Sequence, residues 1–515
     1  MLDLGRSLLA TVSRAPDALS LVDGDTRLSY AQLYRHASAL VSGLEDAGVR
    51  RGDRILTALQ NNRAAIWLHW ACQLAGVTIV PVNWRATADE IDFFLENSEA
   101  SLVVCDAASR DAFAASARAM NLPRMVYDCD LDGAVSVEEA AAASAPDAPA
   151  MAGPEDWSIM LYTSGTTARP KGVPRRHRAE RAAAVAHVAQ NLMPRGDVTL
   201  GVMPLYHTMG VRSLLAVQLL DGAFICLPRF EASSALRLIE KERIGSLYLV
   251  PTLYHDLLDH PDFPGTDLSQ VRRLGFAGAS MTDGLLKRVG AAFRPDLLVN
   301  HYGSSEIYTF SIDQNAAAKP GSAGKAGLNQ DLRIIEIGSG DPERVVAAGV
   351  EGEIIATLAG DEAFEGYWRR PEADAKSLIE GWYFTGDSGR FDADGDLFVT
   401  GRVDDMIITG GENVSPVEVE SCLSMHEGVV ECAVVGLPDE RWGKLVTAFV
   451  KRRGEVTAEA LDRFCRASDL ASFKRPRQFV FVAELPKSPV GKLLRRHLVS
   501  GDYAPEHSIS KQTAR

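Results

Sequence analysis

The chain has 515 residues, of which 46% are hydrophobic and 24% are charged, and its formal net charge is -14. This length is too great for one ordinary domain and predicts two to four. The acidic balance disfavours a general binder of nucleic acids or anionic membrane surfaces, because their phosphates would be repelled.

The amino-terminal 17 residues contain only a short apolar run and no small-residue cleavage site, which disfavours a secretory signal. No segment reaches the length needed to span a bilayer. The seven cysteines are scattered, without a CxxC pair or metal-ligand spacing, so we expect reduced thiols. These features predict a cytoplasmic enzyme that acts on small molecules.

The first part of the chain alternates between helical and extended patterns, which predicts layered α/β structure. Two continuous apolar runs indicate buried strands of a parallel sheet, and a segment rich in Ala, Pro and Asp predicts a surface connection. The predicted helices are 28–48 and 64–76, the strands are 54–60, 77–83, 102–105 and 124–127, and the connection is 134–156.

The second part begins with a similar alternation and then changes character. Strand-like runs occur at 198–205, 247–251 and 272–278, whereas 351–400 holds short strands separated by glycine turns, typical of a small antiparallel unit. Residues 401–411 predict a linker. The remaining residues, 412–515, have the strand and helix patterns of a compact α+β domain of ordinary size.

A candidate phosphate loop follows a strand-like segment, at residues 163–172 (TSGTTARPKG). Small hydroxyl residues and glycine leave backbone N–H groups free to surround a polyphosphate, and Lys171 adds charge. The loop lacks the Gly-Lys-Ser/Thr spacing of a Walker A motif, which disfavours a P-loop NTPase. Taken alone, the loop is also compatible with an ordinary Ser/Thr/Gly turn.

Together with five later segments, the loop resembles the ordered motif series of the adenylate-forming acyl-CoA synthetase superfamily. Segments 276–281, 401–416 and 439–450 are most similar to those of benzoate and 4-chlorobenzoate CoA ligases. One departure is Ala168, where the family has glycine, and it predicts a stiffer loop. The five later segments are 204–207 (PLYH), 302–306 (YGSSE), 383–387 (YFTGD), 401–405 (GRVDD) and 486–492 (PKSPVGK).

The resemblance implies an α/β fold with a large N-terminal adenylation domain of layered subdomains, residues 1–400, and a small mobile α+β C-terminal domain. It also implies an ATP-dependent, AMP-forming ligase that activates a carboxylic acid as an acyl-adenylate and transfers it to coenzyme A. Lys492 would contact the carboxylate and α-phosphate, Glu306 would hold Mg²⁺, and Asp404 would be the hinge. His207 would shield the acid site. The other implied ATP and AMP ligands are Thr163, Ser164, Gly165, Thr166, Thr167, Lys171, Gly278, Ala279, Asn300, Tyr302, Gly303, Ser304, Ser305, Asp387 and Arg402.

The resemblance further implies an acid pocket and a coenzyme A site. Ala186 stands where the 4-chlorobenzoate enzymes carry a bulky aromatic residue, so we expect room for a substituted benzoate or a hydroxycinnamate. The implied acid pocket comprises Ala186, His207, Thr208, Met209, Tyr248, His301, Gly303, Tyr308 and Thr309. The implied coenzyme A site comprises Arg85, Gly410, Gly411, Trp442, Phe473, Arg475 and Arg477.

Several alternatives stay open from sequence alone. The acid is compatible with a medium-chain or alicyclic compound, because Met209 adapts its shape readily. An aryl-acid adenylating enzyme that loads a separate carrier protein is a second alternative, and the oligomeric state, a homodimer included, is undetermined. A non-enzymatic binding protein is disfavoured, since Lys492, Glu306 and the hydroxyl-rich loop are all retained.

Overall fold

The computed structural model describes residues 2–163, 169–488 and 493–506. The α-helices within these ranges are α1 Leu4–Arg14, α2 Tyr30–Asp46, α3 Arg63–Ala75, α4 Ala88–Ser98, α5 Arg110–Ala115, α6 Val137–Ala142, α7 His177–Gln190, α8 Thr208–Leu219, α9 Ala232–Lys241, α10 Pro251–Leu258, α11 Asp283–Phe293, α12 Pro371–Ser377, α13 Pro416–Ser424, α14 Ala458–Ala467 and α15 Arg495–Ser500. Three 3₁₀ turns cover Ala119–Asn121, Phe263–Gly265 and Val403–Asp405. None of the described helices combines the length and hydropathy that a bilayer-spanning segment needs.

The strands form three sheets. In chain order the described strands are β1 Leu19–Asp23, β2 Thr26–Ser29, β3 Arg54–Ala58, β4 Thr78–Pro81, β5 Leu102–Asp106, β6 Arg124–Tyr127, β7 Val135–Ser136, β8 Trp157–Thr163, β9 Lys171–Arg176, β10 Val198–Gly201, β11 Ala223–Cys226, β12 Ser246–Leu249, β13 Arg273–Phe276, β14 Leu297–Tyr302, β15 Ser311–Asp313, β16 Ser322–Ala326, β17 Leu332–Ile335, β18 Gly352–Thr357, β19 Leu378–Ile379, β20 Trp382–Phe391, β21 Leu397–Arg402, β22 Ile407–Thr409, β23 Glu412–Val414, β24 Val429–Asp439, β25 Gly443–Arg452 and β26 Gln478–Phe481.

The first sheet has the order β7-β6-β5-β3-β4-β8-β9 and is parallel from β7 to β8. Its strands are short apolar runs because α-helices cover both faces and leave little room for polar side chains. Helix α2 begins with a capping box, in which Ser29 and Gln32 each accept from the other's backbone N–H. The last two strands, β8 and β9, form an antiparallel hairpin at the sheet edge.

The second sheet changes direction at β14. Strands β11, β10, β12, β13 and β14 are parallel neighbours, whereas β14, β15, β16, β21, β20, β18 and β17 pair antiparallel in that order. The antiparallel strands at 351–400 that the sequence predicts are therefore part of this larger sheet. Ligands of open α/β sheets bind beyond the carboxyl ends of parallel strands, and β14 ends at Tyr302.

The third sheet belongs to the carboxyl-terminal region, with the order β23-β22-β25-β24 and β26 parallel to β25. Its buried face packs against α13 and α14. Within the predicted linker 401–411, Gly401 and Arg402 end β21 of the large sheet, whereas 407–409 already form β22. Residues 403–406 connect the two sheets.

The structure confirms the α/β fold class with an additional carboxyl-terminal unit, and it corrects two local predictions. The segment 134–156 contains β7 and α6. Val137 and Ala141 are one helical turn apart in α6, and the helix buries both of them on the side that packs against α2. The strand predicted at 198–205 ends at Gly201, and the chain then turns through Pro204 into α8.

Candidate active site

The hairpin of β8 and β9 brings two predicted phosphate ligands together at the end where the connecting loop begins and ends. Thr163 is the last residue of β8, and it pairs with Lys171, the first residue of β9. The connecting residues Ser164, Gly165, Thr166, Thr167 and Ala168 lie outside the described residues.

Glu306 lies in the turn after β14 and is buried. Oε1 of its carboxylate accepts a hydrogen bond from the hydroxyl of Tyr367 at 2.7 Å. The ammonium of Lys171 lies 3.9 Å from the centre of the Tyr367 ring. Burial lowers the pKa of Lys171, while the charge of Glu306 opposes that shift. The cluster therefore couples one buried carboxylate to one desolvated cation.

Asp387 is the centre of a second cluster. Its Oδ2 accepts from the hydroxyl of Tyr302 at 2.6 Å, and its Oδ1 accepts from Nη1 of Arg402 at 2.9 Å. Asp387 and Arg402 are direct neighbours on β20 and β21, so the sheet register fixes their contact. Arg402 also donates to the carbonyl of Thr385 at 3.0 Å. A rigid carboxylate held in this way is suited to accept hydroxyl donors.

Aromatic side chains connect the two clusters. The hydroxyls of Tyr367 and Tyr383 are 3.4 Å apart. The rings of Tyr383 and Phe310 stack with centroids 6.1 Å apart, and Phe310 lies 5.0 Å from the ring of Tyr302. Glu306 and Asp387 therefore belong to one continuous, tightly packed site.

The remaining predicted nucleotide residues lie at the ends of β13 and β14. Gly278 has φ +81, a left-handed conformation that favours glycine, and it follows β13 with Ala279. Asn300 donates to the carbonyl of Ser322 at 2.7 Å. A Cβ atom at Gly303 would lie 2.1 Å from the carbonyl oxygen of Tyr308, so only glycine fits there.

Ser304 and Ser305 follow Gly303 in the turn that carries Glu306. The hydroxyl of Ser304 accepts from the backbone N–H of Glu306 at 3.2 Å, which fixes the turn. The carbonyls of Ser305 and Glu306 accept from the buried guanidinium of Arg175. The backbone of this turn is thus held from both sides.

The predicted acid pocket gathers around the start of α8. His207 caps this helix, where its Nδ1 accepts from the backbone N–H of Met209 at 3.3 Å. Thr208, Met209, Ala186 and Tyr248 are all buried nearby in α8, α7 and β12.

Two predicted pocket residues make their hydrogen bonds within the protein. Tyr308 donates to Oε2 of Glu180 at 3.1 Å, and Thr309 accepts from Nη1 of Arg212 at 2.7 Å. Glu180 also forms a fully buried ion pair with Arg175. The hydroxyls of Tyr308 and Thr309 therefore have partners without a bound acid.

Sequence reasoning missed Arg212, His187 and Asn191. These residues contact His301 and Tyr248 in one cluster, which we call the far wall of the predicted acid pocket. Arg212 is buried and also donates to the hydroxyl of Tyr248. Its only signal in the sequence is its place one helical turn after Thr208, on the same face of α8. His187 and Asn191 carry no motif.

An interior cavity of about 20 Å³ adjoins this wall, and His187, Asn191, Tyr248 and Gly275 contribute to its lining. That volume holds about one water-sized group.

The predicted coenzyme A residues of the carboxyl-terminal region form a separate group. The guanidinium of Arg477 lies 4.2 Å from the ring of Trp442, and a Cβ at Gly410 would approach that ring to 3.0 Å. Gly410 and Gly411 both have positive φ and form the tip of the β22–β23 hairpin.

Of the three remaining residues that the sequence predicts for coenzyme A, two lie in the carboxyl-terminal region and one lies near the first sheet. Arg475 donates to the carbonyl of Leu470 at 3.2 Å, and Phe473 packs against the core of the small domain. Arg85 belongs to the first sheet region, where its guanidinium stacks on Trp84 at 3.7 Å.

The predicted hinge residue, Asp404, is exposed in the 3₁₀ turn between β21 and β22. Lys492 lies outside the described residues.

The carboxylate of Glu306 fits a magnesium ligand. Mg²⁺ prefers hard oxygen donors and is usually held by one or two carboxylates together with substrate phosphates. Glu306 is buried, oriented by Tyr367, and placed beside the phosphate-loop lysine, as such an arrangement requires.

The chain matches two family models, an AMP-binding enzyme over residues 8–368 and an AMP-binding enzyme C-terminal domain over residues 418–492. It is 33% identical to 4-chlorobenzoate–CoA ligase of Arthrobacter sp, a match that covers 97% of this chain and 94% of that protein. It is 34% identical to feruloyl-CoA synthase of Amycolatopsis sp, with 93% and 95% covered.

Among solved structures, the anthranilate CoA ligase AuaEII in complex with anthranoyl-AMP superposes with a TM-score of 0.89. The sequence identity is 26%, and the match covers 97% of each chain. Fold, chain length and motif order therefore agree with one family along nearly the whole sequence.

Proposed function

The chain belongs to the AMP-binding enzyme family and is an AMP-forming acid–CoA ligase, and we propose that its acid is aromatic, a substituted benzoate or a hydroxycinnamate. The observation that carries the site assignment is the convergence of Glu306, Lys171 and Asp387 around one aromatic cluster. The named relatives that act on 4-chlorobenzoate and form feruloyl-CoA support the choice of acid.

In the first step, a carboxylate oxygen of the acid attacks the α-phosphorus of ATP. The bond between the α-phosphorus and the bridging oxygen breaks, and pyrophosphate leaves with the bond electrons. Converging anions require positive charge in this transition state. We assign Lys492 to the carboxylate and α-phosphate, and Lys171 with Thr163 and the loop 164–168 to the outer phosphates.

A bound Mg²⁺ would supply further positive charge against the phosphate oxygens, held by Glu306. Tyr367 orients the Glu306 carboxylate through its hydrogen bond of 2.7 Å. On the other side of the aromatic cluster, Asp387 would accept the ribose hydroxyls of the nucleotide, and Arg402 would hold Asp387 in place.

The adenine would lie between Gly278–Ala279 on one side and Asn300 with Tyr302 on the other. Gly303, Ser304 and Ser305 follow directly and would contribute backbone contacts to the phosphate. This placement is supported by their position at the carboxyl ends of β13 and β14, where parallel sheets bind nucleotides.

In the second step, the thiol sulfur of coenzyme A attacks the acyl carbonyl. The bond between the acyl carbon and the phosphate oxygen breaks, AMP leaves, and the thiol proton passes to solvent or to AMP. We propose that rotation at Asp404 replaces Lys492 with the β22–β23 hairpin, so that Gly410 and Gly411 border the pantetheine. Trp442, Phe473, Arg475, Arg477 and Arg85 would contact the nucleotide part of coenzyme A.

The acid proposal is tested by acid-dependent exchange of pyrophosphate into ATP, followed by thioester formation with free coenzyme A. We expect benzoates or arylpropenoates to exceed octanoate in kcat/KM for both assays. A clear preference for octanoate would overturn the aromatic assignment. Exchange without transfer to free coenzyme A would instead indicate a carrier protein as the acyl acceptor. Because ATP and coenzyme A are its co-substrates, we place the reaction in the cytoplasm.

A further inference from the structure

The far wall of the acid pocket contains one hydrogen-bond donor and one acceptor that have no partner among the described residues. The donor is Nε of Arg212, and the acceptor is Nδ1 of His301. Both side chains are almost completely buried, at 2% and 3% exposure. A buried polar atom without a partner is costly, about 1–3 kcal/mol, so such atoms call for an explanation.

The tautomer of His301 follows from its neighbour Asn191. The amide nitrogen of Asn191 donates to the carbonyl oxygen of His187 at 2.8 Å, which fixes the orientation of the amide. The amide oxygen, Oδ1, therefore faces Nε2 of His301 at 3.0 Å and accepts its proton. Burial lowers the pKa of His301 well below its usual value, and the charge of Arg212 adds to this shift. The ring is neutral, and Nδ1 carries a free lone pair.

Arg212 is held in place with part of its hydrogen-bonding capacity unused. Its Nη1 donates to the carbonyl of Tyr308 at 3.1 Å and to the hydroxyl of Thr309 at 2.7 Å. Its Nη2 donates to the hydroxyl of Tyr248. These partners are neutral, and no carboxylate lies within ion-pair distance of Arg212 in the described ranges. The guanidinium is therefore fixed, charged and free at Nε.

The carboxylates near Arg212 have other hydrogen-bond partners, although Oε2 of Glu362 has none among the described residues. Glu180 is paired with Arg175 and accepts from Tyr308. Glu362 accepts from Asn329 at 3.1 Å, and burial raises its pKa although Arg212 opposes the shift.

Resting on the proposed ligase function, we propose that Arg212 and His301 recognise a hydroxyl group on the aromatic acid, at the end distant from the reacting carboxylate. A hydroxyl is both donor and acceptor: its hydrogen is donated to Nδ1 of His301, and its oxygen accepts from Nε of Arg212. A methoxy group offers only an acceptor. A halogen offers no donor and only a weak acceptor.

Tyr248 places Arg212 and His301 next to each other in this wall. Tyr248 contacts both groups, through the hydrogen bond to Arg212 and through a ring distance of 4.9 Å to His301. Met209 has three rotatable bonds and adapts its shape when a ring enters.

The test compares kcat/KM for three matched acids, 4-hydroxybenzoate, 4-methoxybenzoate and benzoate, and for 4-coumarate against 4-methoxycinnamate. In the wild-type enzyme we expect the hydroxy acid to exceed its methoxy counterpart by about tenfold or more. Equal kcat/KM values within both pairs would overturn the proposal.

Two variants locate the effect. His301→Phe keeps an aromatic ring but removes the acceptor, and Arg212→Gln removes the charge and the Nε donor. His301→Phe should reduce the ratio of hydroxy to methoxy acid to about one, whatever happens to the absolute rate. Arg212→Gln removes the donor from which both the hydroxyl and the methoxy oxygen would accept, so it should lower kcat/KM of both acids relative to benzoate. Tyr254→Phe is the matched control, because it removes a buried hydroxyl that donates to backbone carbonyls outside the predicted acid pocket, and it should leave both comparisons unchanged. An unchanged ratio of hydroxy to methoxy acid in His301→Phe, or an unchanged preference for both acids over benzoate in Arg212→Gln, would contradict the proposal.

The failure of this inference is distinguishable from failure of the proposed function. If aryl acids support acyl-adenylate formation without a preference for hydroxyl groups, only the recognition by Arg212 and His301 is wrong. If no aryl acid supports the reaction, the proposed acid class is wrong and this inference falls with it.

Discussion

Tyr367 donates its hydroxyl hydrogen to Oε1 of Glu306 across 2.7 Å, although the two residues are 61 positions apart in the chain. The contact holds a buried carboxylate in one orientation beside the ammonium of Lys171. A flexible glutamate would have to lose side-chain freedom when ligand binds, whereas this one is already ordered.

Glu306→Gln should slow catalysis by weakening the binding of Mg²⁺. The amide keeps an oxygen acceptor for Tyr367 but removes the negative charge that attracts Mg²⁺. We expect acyl-adenylate formation to fall about a hundredfold, equal to ~2.7 kcal/mol, and the Mg²⁺ concentration at half-maximal rate to rise. Tyr367→Phe is the control and should have the smaller effect on Mg²⁺ dependence. Identical Mg²⁺ titrations for wild type and Glu306→Gln would contradict the metal assignment.

Asp387→Asn should impair recognition of the ribose. The change removes the charge that Tyr302 and Arg402 surround and that we assign to the ribose hydroxyls. A hydrogen bond to a charged group contributes about 1.5–3 kcal/mol, so kcat/KM for ATP should fall about thirtyfold. The measurement compares ATP with 2′-deoxy-ATP and 3′-deoxy-ATP. If the variant discriminates among these nucleotides as strongly as wild type, Asp387 does not contact the ribose.

Lys492→Ala should separate the two half-reactions. Loss of one charge-stabilising donor costs roughly 3–4 kcal/mol, on the order of a hundred- to thousandfold in rate. Acyl-adenylate synthesis should fall by that factor, while conversion of supplied acyl-adenylate and coenzyme A to thioester should persist. Lys487→Ala in the same segment is a matched control, since Lys487 pairs with Glu431. An equal loss in both half-reactions would show that Lys492 has a different role.

Asp404→Pro should hold the two domains in one arrangement. Asp404 is exposed in the short turn between β21 and β22, and proline fixes φ near −65°. We expect acyl-adenylate formation to survive and thioester formation to collapse. Asp405→Ala, one residue further and also exposed, serves as the control. A variant that performs both half-reactions at the wild-type ratio would exclude a hinge at Asp404.

Two buried histidines should make the protein acid-sensitive. Burial lowers the pKa of His69 to about 3 and that of His177 to about 4, from an ordinary value of 6.5. At pH values below 6.5 but above the lowered pKa values, the histidines bind protons in the unfolded chain and not in the folded chain. The free energy of unfolding therefore decreases as the pH falls below 6.5. For His177 the loss approaches roughly 3 kcal/mol near pH 4.

The measurement is the unfolding free energy of wild type and His177→Gln between pH 4 and 7. The variant should show a shallower decrease on acidification, because it lacks the titrating group, even if it is less stable at pH 7. Arg118→Gln, at an exposed surface pair, is the control and should keep the wild-type slope. If the free energy of unfolding falls with pH equally steeply in His177→Gln and wild type, the lowered pKa of His177 does not cause the acid sensitivity.

Local sequence was sufficient for most of the fold. The helices α2 and α3 and the strands β3 to β6 follow from periodicity and apolar runs, because burial on one face or both leaves a regular pattern in the chain. The segment 134–156 failed this test because its composition is that of a loop. The buried contacts of Val137 and Ala141 with α2 decide its structure.

The motif residues were likewise visible in the sequence, since a phosphate loop or a Gly-Arg turn needs particular residue types at consecutive positions. Asp387 and Arg402 are recognisable as motif members, but only the register of β20 against β21 brings their side chains together. Tyr383 belongs to the segment 383–387, but its contact with Tyr367 is visible only in the structure. Tyr367, which orients Glu306, lies outside any pattern that composition or spacing reveals.

The far wall of the acid pocket was decided by tertiary structure alone. Arg212, Asn191 and His301 come from α8, the end of α7 and β14. The Asn191 amide determines the tautomer of His301, and Nε of Arg212 and Nδ1 of His301 have no partner among the described residues. Hydrogen bonds between side chains distant in sequence carry no periodicity and no composition bias. The sequence therefore determined the reaction class and the fold, whereas packing of three separate elements determined which polar atoms of this wall have no partner among the described residues.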